Sequence, residues 1–306
     1  MGRNAEETKL EEDCLARTSL SNKELIKEFL KTCEEEEKRS RYFYPLIYFI
    51  VWTGFISTII YTSFNIKNSK GWLFFIGFII LGYILEQIIF CAIHVYTHAE
   101  FLEQDKLGYT GLAHYHHFKD ASIFAQYPSY TRYSYYKYPW PIILLFFFTT
   151  NYITFWSYLI FFLYEMLVHE SYHVRDPDSH YKTKGIREFL TKPNEFEKKL
   201  IDWGRDLKFH DRERHRDHHL LTFDEEEDWN EWDDLFIFGK YESLVKNTLS
   251  NAIYNSIKDK EDAFTLAWIQ LIIVVILCGI GTYLLSQKFN PKYMNDYINW
   301  PKFKLI

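Results

Sequence analysis

Twelve histidines occupy residues 94–219 of this chain, and ten of them fall into four groups. The groups are His94-x3-His98, His114-x-His116-His117, His169-x3-His173 and His215-x2-His218-His219, with His180 and His210 as outliers. No histidine precedes position 94 or follows position 219. Histidines scattered for ordinary packing would not respect such a boundary. On a helix, residues at i and i+4, or at i, i+3 and i+4, share one face with Cβ atoms roughly 5–6 Å apart. The first, third and fourth groups are therefore chelating units, each able to offer two or three imidazoles to one metal or to an adjacent pair. Neutral imidazole suits iron and zinc, and a set this large exceeds the ligand number of a single tetrahedral zinc. Two metal ions are the natural count.

The second group departs from the pattern, because position 113 is Ala and His114 does not share a helical face with His116. Either the backbone is irregular there, or two of the three imidazoles bind. Nearby carboxylates, Glu100, Glu170, Asp211, Glu213 and Asp217, are of the type that fixes the tautomer of a ligand histidine. Most charges of this kind are simply solvated. A lone H-x3-H arises by chance, and His180 and His210 taken singly are as readily polar surface residues as ligands. Four groups bracketed by apolar blocks are a different matter.

Those blocks must position the histidines. The chain is 48% hydrophobic and 20% aromatic while carrying 25% charged residues, so its apolar residues are concentrated in runs, as in a membrane protein. From Tyr42 to Tyr61 there is no charge, and about twenty residues at 1.5 Å each cover a hydrocarbon core of roughly 30 Å. A polar turn at 65–71 leads into a second run that crosses and then projects beyond the lipid carrying His94 and His98. Only Glu86 and Gln87 interrupt it. A carboxylate inside a membrane is costly unless it faces protein, which makes Glu86 a secondary site candidate.

Residues 138–168 are nearly uncharged, too long for one upright span and short for two. The histidines on either side of this block can share one site only if the chain leaves and re-enters on the same membrane face. The block is therefore expected to be a tight helical hairpin turning near Thr149, Thr150 and Asn151. A final span at 263–286 puts the tail on the opposite face. The expected fold is all-α, a multi-pass helical membrane protein of about five spans with a histidine-rich helical cap on one membrane face. Its parts are a polar N-terminal arm at 1–42, a membrane-embedded histidine-motif domain at 43–262, a C-terminal transmembrane helix at 263–287 and a short tail at 288–306. Within the arm, Leu20, Leu25, Ile26, Phe29 and Leu30 recur at near-helical spacing, so it reads as an amphipathic helix lying on the membrane or as a solvated one.

Composition removes other classes. A net charge of −6 and no basic patch interleaved with stacking aromatics leave no footprint for nucleic acid. Cys14, Cys33, Cys91 and Cys278 are widely spaced and form no C-x-x-C pair, so no disulfide framework or zinc ribbon is implied. The Glu- and Lys-rich first forty residues lack the apolar core of a signal peptide and the acid-poor character of a transit peptide.

The boxes HVYTH (94–98), HYHH (114–117), HESYH (169–173) and HRDHH (215–219), with WNEWDDLFIFGKY at 229–241, resemble those of the fatty acid hydroxylase and sterol desaturase superfamily, membrane-bound histidine-motif oxygenases. The resemblance spans roughly residues 72–245. His94, His98, His117, His169, His173, His215, His218 and His219 match the motif, and His114 and His116 match after a one-residue deletion. Carotenoid hydroxylases and plasmanyl-lipid desaturases are similar in part. The resemblance implies two iron ions at the cytosolic membrane face, with zinc as a substitute in purified protein. It also implies O2, a small b-type cytochrome and its reductase as electron donor, and hydroxylation or desaturation of a fatty acyl chain or sterol. The altered second box, the long gap between His98 and His114, the polar arm and the final span depart from the family.

Two other classes compete. A metal transporter would hold its ligands near the bilayer midplane, whereas these boxes sit at span ends or in polar sequence. A catalytically degenerate relative serving as a structural subunit of a membrane complex fits the altered second box. The family's default location is the endoplasmic reticulum membrane, with a mitochondrial or other organelle membrane as the alternative. The terminal KFKLI is similar to a retrieval signal, but the five-span topology puts it opposite the histidines.

Overall fold

In the computed structural model the described residues are 20–98, 136–137, 139–173, 199, 203 and 263–289. They form five helices: α1 (Leu20–Asn65), α2 (Ser69–His98), α3 (Trp140–Thr149), α4 (Tyr152–His173) and α5 (Ala263–Phe289). Three of them contain stretches long and apolar enough to cross a membrane, Glu34–Asn65, Ser69–Phe90 and Trp268–Leu285.

The polar segment from Leu20 and the first apolar run form one helix of 46 residues, about 69 Å at 1.5 Å per residue and more than twice the hydrocarbon thickness. Glu and Lys are strong helix formers, so the charged run gives the backbone no reason to stop before the apolar one begins. Ion pairs mark the junction. Arg39 reaches Glu36 at 3.3 Å and Arg41 reaches Glu37 at 3.2 Å, three and four residues apart along one face. Pro45 stands inside the helix just beyond them. Its ring removes one backbone hydrogen bond, a loss that usually bends a helix.

Local chemistry sets the other boundaries. The Asn68 side-chain oxygen accepts the Gly71 N–H at 3.1 Å and caps α2, and the Asn151 oxygen accepts the Thr154 N–H at 3.0 Å and caps α4. At the end of α3 the Thr149 and Thr150 hydroxyls donate back to the Leu145 and Phe146 carbonyls at 2.9 and 2.6 Å, and Thr150 then turns to extended backbone. The break falls at the expected turn.

The chain folds back there. In one continuous helix Phe147 and Phe155 would be about 12 Å apart along the axis, and Phe146 and Tyr158 about 18 Å. Their ring centroids instead lie 5.3 and 5.2 Å apart. Thus α3 and α4 form an antiparallel helical hairpin. With ten residues, about 15 Å, α3 is half the length of a full crossing.

The chain divides into two compact units: Met1–Pro45 with Cys91–Tyr135 and Glu165–Leu271, and Leu46–Phe90 with Tyr136–Tyr164 and Ile272–Ile306. The second is a helical bundle that buries polar side chains within an aromatic and aliphatic core while leaving many large apolar ones exposed. Thr58, Thr62, Glu86, Gln87, Thr154, Ser157 and Thr282 are buried, while Phe49, Ile60, Leu73, Phe147, Ile276 and Leu284 are exposed. In water, so much exposed apolar surface would drive aggregation; against lipid tails it has no cost. This is a membrane bundle.

Its helices approach through small residues. A Cβ placed on Gly54 would meet the Trp156 indole at 2.5 Å, and one on Gly279 would meet Leu145 at 3.0 Å. Thr62 and Tyr152 share a hydrogen bond at 3.3 Å, and Thr282 donates to Thr149 at 3.4 Å as well as to its own helix. Phe75, Phe78 and Ile153 form an apolar core between α2 and the start of α4.

Candidate metal centre

His94 and His98 lie in the last turns of α2, and His169 and His173 in the last turns of α4. Each pair is spaced i and i+4 on an unbroken helix, so each occupies one helical face. These two helices are packed closely in the bundle. The Thr154 hydroxyl donates to the Phe78 carbonyl at 3.3 Å, Gly82 abuts Ser157, and the Tyr83–Phe161 and Phe90–Phe162 ring pairs lie at 5.2 and 6.5 Å.

Partner numbers rise together along both helices, so α2 and α4 run parallel. The four pairs differ by 72 to 78 in residue number. His94 and His169 differ by 75, as do His98 and His173. Both helices continue past the bundle contacts to these residues. Two parallel helices of the bundle thus each run on into an i, i+4 histidine pair.

In the same bundle α1 runs antiparallel to α4. Gly54 abuts Trp156 and Thr62 bonds Tyr152, numbers that add to 210 and 214.

All twelve histidines fall within the residue ranges of the first unit and none within those of the second. His114, His116, His117, His180, His210, His215, His218 and His219 lie outside the described residues. Among the residues whose side chains are described, no group of three or more His, Cys, Asp or Glu comes together.

Glu86 is fully buried, and one of its carboxylate oxygens accepts the Gln87 side-chain N–H at 2.7 Å. It thus faces protein, as a carboxylate in this setting must. A second buried carboxylate escaped the sequence reading. Glu165, 3% exposed, sits on α4 four residues before His169 and so on the same helical face. The available signal was the one that identified Glu86, a lone acid in an apolar run.

Comparison with known protein families, with characterised proteins and with solved structures finds no match to this chain.

Proposed function

We propose that this protein is a membrane-embedded di-iron oxygenase that hydroxylates or desaturates the hydrocarbon chain of a lipid or sterol. The observation that supports the reading is that α2 and α4 pack in parallel and each ends in an i, i+4 histidine pair, His94 with His98 and His169 with His173. The donor set fits iron. Two i, i+4 histidine pairs are chelating units for a metal pair, and His117, His215, His218 and His219, with His114 and His116, would complete the set. Bound iron would supply activation of O2 and attack on an unactivated C–H bond, chemistry that no side chain performs.

The protein's own part is positional. A hydrocarbon tail partitions into an apolar bundle without assistance, and hydroxylation or desaturation then depends on which carbon is held near the histidines to within about an ångström. The aromatic faces of α2, α3 and α4 are suited to that task. The hairpin returns the chain to the face it left, so both halves of the histidine set can meet. We extend this to a five-helix topology, with α3 and α4 as a hairpin and a histidine cap on the face carrying the N-terminal arm. The electron donor would be a small b-type cytochrome with its reductase, and the location the endoplasmic reticulum membrane.

The position of the histidine pairs at the ends of α2 and α4 disfavours metal transport, for which midplane ligands are expected. The test is turnover. Full-length protein in membranes, given a reducing cytochrome system, a lipid extract and isotopically heavy O2, should yield an oxygen-labelled or newly unsaturated lipid by mass spectrometry. Absence of any such product from folded, metal-loaded protein, with the donor shown to reduce it, would count against the oxygenase.

A further inference from the structure

One polar locus in the bundle lies apart from the histidines. Gly82 has no side chain, and α4 uses the space: a Cβ there would meet Ser157, the Thr154 carbonyl oxygen and the Tyr158 backbone nitrogen within 3 Å. Glu86 lies one turn further along the same face of α2. Glu86 thus shares the face of α2 that Gly82 turns to α4, and the Tyr158 phenol lies near enough to both Glu86 and Cys278 of α5 to interact with each electrostatically.

Tyr158 and Ser157 are both 0% exposed. Neither hydroxyl has a hydrogen-bond partner among the described residues. The Tyr158 ring is held rigidly, edge-on to Phe146 at 5.2 Å and stacked on Phe162 at 6.0 Å. Its hydroxyl cannot swing out to find water. A buried hydroxyl inside a membrane bundle is stable only when its hydrogen bonds are met. Two beside a buried carboxyl group call for a ligand that both donates and accepts.

We infer that Tyr158, Ser157 and Glu86 form an intramembrane binding site for one hydroxyl oxygen, supplied by a bound water or by the alcohol group of a lipid. The ligand oxygen accepts the Tyr158 O–H and gives its own proton to a Glu86 oxygen in a hydrogen bond. A carboxyl group accepts several hydrogen bonds, of which Gln87 supplies one. Ser157, next to Tyr158 on α4, is a second donor. The site rests on the bundle alone and does not depend on the metal-centre reading.

Full-length protein in lipid nanodiscs supports two parallel arms. In the first, X-ray radiolysis with mass spectrometry reads oxidation at Tyr158 against buried Ile153 and Phe75. In the second, a photoreactive long-chain alcohol is compared with the matching alkane. Several-fold excess labelling of Tyr158, reduced nearby in Ser157→Ala, identifies bound water. Alcohol-dependent cross-linking to α2 or α4, lost in Tyr158→Phe and competed by unlabelled alcohol, identifies a lipid hydroxyl. Labelling no higher than at Ile153 and Phe75, together with equal cross-linking of alcohol and alkane, would overturn the inference. Should Tyr158→Phe fail to fold, the two wild-type arms decide the question on their own.

Discussion

A Cβ built on Gly82 would stand 2.6 Å from the Ser157 Cβ and 2.7 Å from the Thr154 carbonyl oxygen. No real Cβ survives such contacts, so the absence of a side chain at 82 sets the closest approach of α2 to α4. The neighbouring contacts, Tyr83 with Phe161 and Phe90 with Phe162, keep that register.

Gly82→Ala should therefore be costly. Two of the three nearest atoms are backbone and cannot rotate away, and overpacking of this kind costs about 1–3 kcal/mol. Gly77 on the same helix has nothing within 4 Å, so Gly77→Ala should be neutral or stabilising by up to about 1 kcal/mol through helix propensity. Gly54→Ala should fall between them, since the obstructing atoms belong to the Trp156 side chain. Thermal unfolding in one detergent ranks the three. Equal effects at 82 and 77 would contradict the packing described.

The hairpin offers a second check. Asn151 caps α4 through the Thr154 N–H, so Asn151→Ala should cost about 1 kcal/mol and Asn151→Ser much less, because Ser also caps. Hydrogen exchange of the first turn of α4 reads the effect directly. Unchanged protection in Asn151→Ala would mean that the cap does not hold the turn.

The register is open to cross-linking. In a background with the four native cysteines replaced, paired cysteines at 94 and 169, or at 98 and 173, should be joined by a short bifunctional maleimide. A pair at 78 and 169 should not, being offset by some fifteen residues or about 22 Å along the axes. Efficient joining of the mismatched pair would show that α2 and α4 are not aligned as the Phe78–Thr154 and Phe90–Phe162 contacts require.

These relationships show what the sequence made legible. The apolar runs marked α1, α2 and α5, because a membrane demands length and lack of charge, which are visible locally. The turn at Thr150 and Asn151 was legible from its polar residues, and parity explained why a fold-back was needed. The continuity of α1 through its Glu-rich segment was not. A change from charged to apolar sequence looks like a boundary, yet the backbone preference is helical on both sides of it. The α2–α4 register was hidden too, since it depends on Gly82 meeting residues more than seventy positions away. Glu165 was passed over because its neighbours are apolar, although that is what makes it notable. The boxes at 114–117 and 215–219 rest on spacing alone.

The metal content of purified full-length protein tests the central claim most directly. Elemental mass spectrometry should find about two iron ions per chain, partly replaced by zinc in some preparations. His215→Ala with His219→Ala, and His94→Ala with His169→Ala, should each abolish binding while the helical circular dichroism is retained. Well-folded wild-type protein that holds no metal, even after anaerobic reconstitution with ferrous iron, would contradict the oxygenase and leave the structural-subunit reading in its place.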